Sequence, residues 1–238
     1  MAATGFRACI FDLFGTLVPT TLTSAYYDSL RAGAARLGLP EDDFVRAWHA
    51  TYLERNRGTL PTLEANVREV VRRLGAAADP AAVRESLEPF RRMTRDALVP
   101  KPESEEVLSR LRGNGYRLGL ISNCNPEVPR LFRQGPLMRY FDASCFSSEA
   151  GRMKPDPWLY TEMARLLETA PRDCLYIGDG HERELEGASG VGMTTVRVDY
   201  DLPGGFVWGR DERADHYVVD LREILAILGP DDGRNREA

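Results

Sequence analysis

Three short apolar runs in this 238-residue chain each break off at a polar residue, and a fourth polar pair follows another apolar run at a short distance. Cys9-Ile-Phe11 meets Asp12, Leu118-Gly-Leu-Ile121 meets Ser122-Asn123, and Leu175-Tyr-Ile-Gly178 meets Asp179. Lys154-Pro155 stands in the loop after the run that ends at Phe146. Apolar runs of this length, without hydrophobic–polar alternation, read as strands covered on both faces, as in a parallel sheet. In an open sheet of that kind the ligand crevice lies beyond the carboxyl ends of the strands, so the polar residues at those ends should converge. Each of them alone is an ordinary turn residue; their shared placement is the functional signal.

The order of elements supports such a sheet. After a first strand, Phe6–Phe11, the pattern from Thr23 to Leu98 turns helical in four stretches: 24–37, 41–57, 63–74 and 80–97, separated by segments bearing Gly38, Gly58, Pro61 and Gly75. No strand pattern interrupts them. From Pro100 onward strands at 116–121, 143–146, 174–177, 194–198 and 217–219 alternate with helices at 103–112, 127–133, 157–168, 183–189 and 221–228. The expected fold is α/β, a Rossmann-like parallel sheet core with an inserted all-helical cap. Residues 1–18 and 99–229 form the core, 19–98 the cap and 230–238 a polar tail.

Bulk properties narrow the partners. A net charge of −5 supplies no cationic field for nucleic acid. The four cysteines form no CxxC pair and the three histidines no ligand spacing, so reduced thiols are expected. The N-terminal apolar run meets Asp12 too soon for a signal peptide or a spanning helix, and a cytoplasmic protein is expected. Of 31 basic residues only Lys101 and Lys154 are lysines. A compact ammonium reaches a point charge as a planar guanidinium does not, which draws attention to both. Lys101 precedes a proline as Lys154 does, but outside any strand-end motif, and is assigned no role.

Phe11-Asp12-Leu13-Phe14-Gly15-Thr16-Leu17, Ile121-Ser122-Asn123, Lys154-Pro155 and Gly178-Asp179 resemble, in this order, the four motifs of the haloacid dehalogenase-like (HAD) superfamily. The position of the helical insert, and Gly187-Ala188 with Val191-Gly192-Met193, resemble its phosphatase-like branch. The resemblance implies a hydrolase acting on a small phosphorylated molecule, with Asp12 as covalent nucleophile and Lys154 offsetting the charge gathered around it. Thr16, Ser122 and Asn123 would hold the substrate. Asp12, Asp179, Glu184 and the backbone carbonyl of Phe14 would hold Mg²⁺, a cation that takes hard oxygen donors. Glu184 stands where the family more often has aspartate.

One position departs from the phosphatase pattern. Two residues after the nucleophile, where the family's phosphatases carry a second aspartate that protonates the leaving group, this chain has Phe14. Positioned acid catalysis is worth ~10²–10⁴-fold. The aromatic here, and Ser122-Asn123-Cys124-Asn125-Pro126, resemble L-2-haloacid dehalogenases, in which the aspartate displaces halide from carbon without a metal. Against that alternative stand Asp179, and His49 in place of the halide-binding arginine. A third alternative is a weakly active or non-catalytic phosphate-binding protein. His181 or Glu182 could supply the proton that Phe14 cannot. In the helical block Tyr26, Tyr27, Arg31, His49, Tyr52, Arg55 and Arg57 are the side chains available to face a substrate, and hinges are expected at 18–20 and 98–100.

Overall fold

The first strand, β1 (Ala8–Phe11), has no exposed residue on either face, because it runs through the middle of the molecule. A computed structural model describes residues 5–20, 23–199 and 213–229; the expected tail at 230–238 lies outside them. The chain continues through α1 (Thr23–Arg36), α2 (Glu41–Ala50), α3 (Tyr52–Asn56), α4 (Leu63–Arg73) and α5 (Pro80–Ala97). Then follow α6 (Ser104–Gly113), β2 (Arg117–Ser122), α7 (Glu127–Phe132), β3 (Ala143–Phe146), α8 (Ser147–Ala150), α9 (Pro157–Leu166) and β4 (Cys174–Gly178). The last elements are α10 (Glu184–Gly190), β5 (Thr194–Val198), β6 (His216–Val218) and α11 (Ile224–Leu228).

The six strands form one parallel sheet in the order β3-β2-β1-β4-β5-β6. β1 lies between β2 and β4, so the three strands that end in Asp12, Ser122 and Asp179 are neighbours. Alternate β1 side chains enter different cores. Cys9 and Phe11 pack with Val107, Leu108 and Leu111 of α6 and Phe132 of α7. Ala8 and Ile10 pack with Leu159 and Met163 of α9 and Leu185 of α10. Full burial of each large side chain contributes about 1.5–3 kcal/mol, which is why this strand tolerates no charge before Asp12.

Helices α1, α2, α4 and α5 pack around a core of their own, including Leu30, Phe44, Trp48, Val67, Val70, Leu87 and Phe90. The expected single helix over 41–57 is two helices that break at Thr51, whose φ and ψ are −95° and 11°. The reason is local. The Thr51 hydroxyl donates to the Trp48 carbonyl at 2.8 Å, and the Arg55 guanidinium donates to the same carbonyl, diverting an acceptor from the helical ladder. The two chain crossings into this block are tied together: Lys101 N and Ser104 Oγ both donate to Leu17 O, at 3.0 and 2.6 Å. Further out, Gly58 adopts φ +71°, and a Cβ there would meet the backbone carbonyl of Ser148 in α8.

Candidate active site at the carboxyl edge of the sheet

The Asp12 amide donates to Ile177 O at 2.9 Å, carrying the ladder one residue past β1 and aiming the Asp12 side chain from the middle of the sheet edge. A tight loop follows, closed by Gly15 N on Val18 O at 2.9 Å and by Leu17 N on Leu13 O at 2.9 Å. Gly15 has φ +83°, and the space a Cβ would fill is occupied by the Asp179 carboxylate. The loop after β1 and the tip of β4 therefore touch with no room for a side chain at position 15.

Lys154 is the hub of the cluster. Its buried ammonium donates to Asp12 Oδ1 and to Glu184 Oε2, both at 2.5 Å. Burial alone would lower its pKa, but the Asp12 and Glu184 carboxylates overcome that and hold it well above the usual lysine range. Thr16 Oγ1 donates to Asp12 Oδ2 at 3.3 Å. Glu184 is fully buried at the start of α10, where Tyr176 Oη donates to Oε2 at 2.7 Å and Gly180 N to Oε1 at 3.0 Å. Asn123 accepts from Lys154 N through Oδ1 at 2.9 Å and donates through Nδ2 to the Glu182 carboxylate, which fixes the loop bearing Lys154.

Asp12, Asp179 and Glu184 each offer an oxygen within 4.8 Å of the others. Burial raises the pKa of Asp12 to about 6 against the pull of Lys154, and burial with Asp12 as neighbour raises Asp179 to about 6. Burial likewise raises Glu184 to about 7. The causes show what the cluster lacks: three desolvated carboxylates face one ammonium in contact. Three hard oxygens with a surplus of negative charge suit a divalent cation, and a metal there would favour the ionised forms. Ser122 Oγ is buried at the same edge, with the Cys124 thiol beside it and no nitrogen or oxygen partner among the described residues.

The structure thus brings together Asp12, Thr16, Ser122, Asn123, Lys154, Asp179 and Glu184. Phe14 sits on the rim, packed against the core and lining a cavity of about 220 Å³ between the sheet edge and the helical block. Among the expected helical-block residues Tyr26, Tyr52 and Arg55 line this cavity; Tyr27, Arg31, His49 and Arg57 do not. Two participants were not foreseen. Tyr176 is a phenol inside an apolar strand, and that isolated polar atom is the signal that could have marked it. Lys101, assigned no role, is buried with Nζ on Gly15 O at 2.5 Å. Burial brings its pKa down to about 7 even though Glu103, Asp179 and Asp12 pull it upward. Its Lys-Pro dipeptide lies outside the strand-end pattern, and only the return of the chain from the helical block brings it under the loop after β1.

Residues 6–192 match the haloacid dehalogenase-like hydrolase family. The chain belongs to that family. This hydrolase is 27% identical over 93% of its length to a glyceraldehyde 3-phosphate phosphatase of Methanopyrus kandleri, 97% of which is covered. It is 30% identical over 84% of its length to a phosphoserine phosphatase of Thermus thermophilus, 74% of which is covered. The fold is shared with a HAD phosphatase from Thermococcus onnurineus (TM-score 0.66, 23% identity, 94% of this chain and 98% of that one). A 2-haloacid dehalogenase from Pseudomonas syringae shares it equally (TM-score 0.69, 24% identity, with the same coverage). The fold therefore does not choose between phosphorus and carbon as the centre attacked; the side chains must. No helix among the hydrolase's described residues is long and apolar enough to cross a membrane.

Proposed function

We propose that the protein is a Mg²⁺-dependent phosphohydrolase of small phosphorylated metabolites, working through a phosphoaspartate on Asp12. The observation that carries this reading is the convergence of Asp179 and Glu184 on Asp12, a donor set for a hard cation that carbon–halogen cleavage does not call for. A carboxylate oxygen of Asp12 attacks phosphorus and the ester P–O bond breaks. Water then cleaves the acyl phosphate, releasing phosphate and restoring the carboxylate. Lys154 holds Asp12 in place and offsets the charge that builds up on the transferring group. The Ser122 hydroxyl and Asn123 bind the phosphoryl oxygens, as does Thr16 at the other side of Asp12. Asp12, Asp179, Glu184 and the Phe14 carbonyl would hold the cation, which would supply charge neutralisation for the transferring phosphoryl group.

The phenyl ring of Phe14 transfers no proton, so the leaving group departs unassisted or takes its proton from His181 or Glu182, which line the same cavity. The helical block, residues 19–98, acts as a cap over a core of 1–18 and 99–229, turning about 18–20 and 98–100. The relatives named phosphoserine and glyceraldehyde 3-phosphate phosphatases support a phosphate ester as substrate. The test is phosphate release from p-nitrophenyl phosphate and acetyl phosphate with and without Mg²⁺, beside halide release from 2-chloropropionate. Metal-dependent phosphate release is expected. Metal-independent halide release would install the second reading, a dehalogenase, for which the aromatic at Phe14 is the favouring observation.

A further inference from the structure

Among the described residues of the helical block Arg55 is the buried cation, and it lines the cavity with no carboxylate in direct ion-pair contact. Only 4% of it is exposed. Its guanidinium lies 4.2 Å from the centre of the Trp48 ring, and Nη1 donates to Thr51 Oγ1 at 2.5 Å and to the Trp48 carbonyl. Among the described residues no carboxylate comes within ion-pair distance. The acid next to it in sequence, Glu54, is engaged by Arg73 at 2.6 Å. The other groups acting on Arg55 are the phenols of Tyr26 and Tyr52, both held neutral by burial, while nearby His49 is pushed toward its neutral form. Burial lowers the Arg55 pKa to about 10, which leaves it charged at neutral pH.

An isolated buried charge is costly unless a partner arrives. The cavity supplies the route. Arg55 and Trp48 line it from the helical side and Phe14 and Asn123 from the sheet side; beside aromatic and aliphatic groups the lining includes His181 and the Glu182 carboxylate, which Tyr52 and Asn123 already engage. Trp48 Nε1 is buried there beside the Tyr26 hydroxyl. A substrate spanning the cavity would meet the phosphate-binding edge at one end and, at the other, a guanidinium fork held rigid by stacking, a geometry that matches a carboxylate.

We propose that Arg55 is a specificity-determining residue that binds a carboxylate at the end of the substrate remote from its phosphate, so that the preferred substrates are phosphorylated hydroxy or amino acids of a few carbons. This rests on the phosphohydrolase reading above and adds the class of substrate to it. The charge-assisted bonds that a neutral analogue forgoes, and the buried cation it leaves unpaired, set the expected discrimination at about 10²-fold.

The test uses matched pairs that differ in the carboxylate: phosphoserine against phosphoethanolamine, and 3-phosphoglycerate against glyceraldehyde 3-phosphate. In the wild type, kcat/KM should favour the carboxylated member of each pair by about 10²-fold, and in Arg55→Met the ratio should collapse to within about threefold. The ratio is internal to each protein, so a partly unfolded variant scales both members alike, and the wild-type ratio needs no variant at all. Calorimetric titration of Asp12→Asn with the same pairs reads the preference without turnover. Equal affinity within each pair, or a preference that survives Arg55→Met, overturns the assignment. A preserved binding preference with no phosphate released from any ester by the wild type defeats the phosphohydrolase reading and leaves the Arg55 site standing.

Discussion

The two walls of the cavity handle charge in opposite ways. At the sheet edge Lys154, Asp12 and Glu184 are locked to one another, and Tyr176, Gly180 and Asn123 complete their hydrogen bonds. On the helical wall Arg55 has an aromatic ring, a hydroxyl and a carbonyl for company and, among the described residues, no acid in ion-pair contact. The first arrangement is organised before anything binds, which suits groups that must stabilise a transition state without reorganising. The second leaves its charge to be answered by the ligand. Chemistry and selection are thereby assigned to different elements, and each can be perturbed with the other left in place.

The largest effect should come from the sheet edge. Asp12→Asn keeps the shape of the side chain and removes the nucleophilic charge, and kcat should fall by ~10⁴-fold or more with the far-ultraviolet circular dichroism unchanged. Activity near wild type would take Asp12 out of its role. Next, EDTA should suppress turnover, with Mg²⁺ restoring the chelated wild type and failing to restore Asp179→Ala; turnover indifferent to chelation would remove the proposed cation from the sheet edge.

Phe14→Asp sharpens the comparison by adding the missing acid to the chemical wall. It should raise kcat/KM for alkyl phosphates by up to ~10²-fold and leave aryl and acyl phosphates nearly unchanged, since their leaving groups need little protonation. A uniform change across leaving groups would show that the carboxylate does not reach the departing oxygen. A smaller effect is expected from Lys101→Met. Removing the donor from the buried Gly15 carbonyl should cost about 1–3 kcal/mol in denaturant unfolding, with a further loss in kcat that KM does not share. The smallest belongs to the bridge between the walls, where Tyr52 donates to Glu182 and Asn123 donates to the same carboxylate. Tyr52→Phe should change KM a few-fold and leave stability within about 1 kcal/mol; a thermal melt beside a substrate titration separates the two.

The same contrast describes what the sequence makes legible. The strand ends are readable because two constraints coincide there: an apolar run must stop, and a polar residue must follow. Asp12, Ser122 and Asp179 all carry that mark, and the parallel sheet itself follows from the runs. Strand bounds moved by a residue or two, as at β2, where the ladder takes in Ser122 through its pairing with Phe146. Glu184 carries no strand-end mark and is singled out only through the family resemblance; it is fully buried because the loop from Gly178 to Gly180 folds its carboxylate back against Tyr176 and Lys154. Lys101 was invisible for a related reason: its importance comes from where an 80-residue excursion returns. In the helical block, periodicity gives the helices but not their inward face. The break at Thr51 that turns Arg55 toward Trp48 depends on side-chain hydrogen bonds to one carbonyl, which no hydrophobic pattern encodes.

Gly58 bears on how this molecule could be rebuilt. Chimaeras between proteins of this architecture are naturally cut at the two crossings near residues 18 and 99, as though the helical block were a cassette held by two threads. Here the block also rests on the core at a third place, where the left-handed Gly58 lies against the Ser148 carbonyl with no space for a methyl group. α8, which carries Ser148, opens the loop that delivers Lys154. A transplanted block with any other residue at that seat would press on this loop, so a graft must bring its own 147–154 segment or keep the glycine.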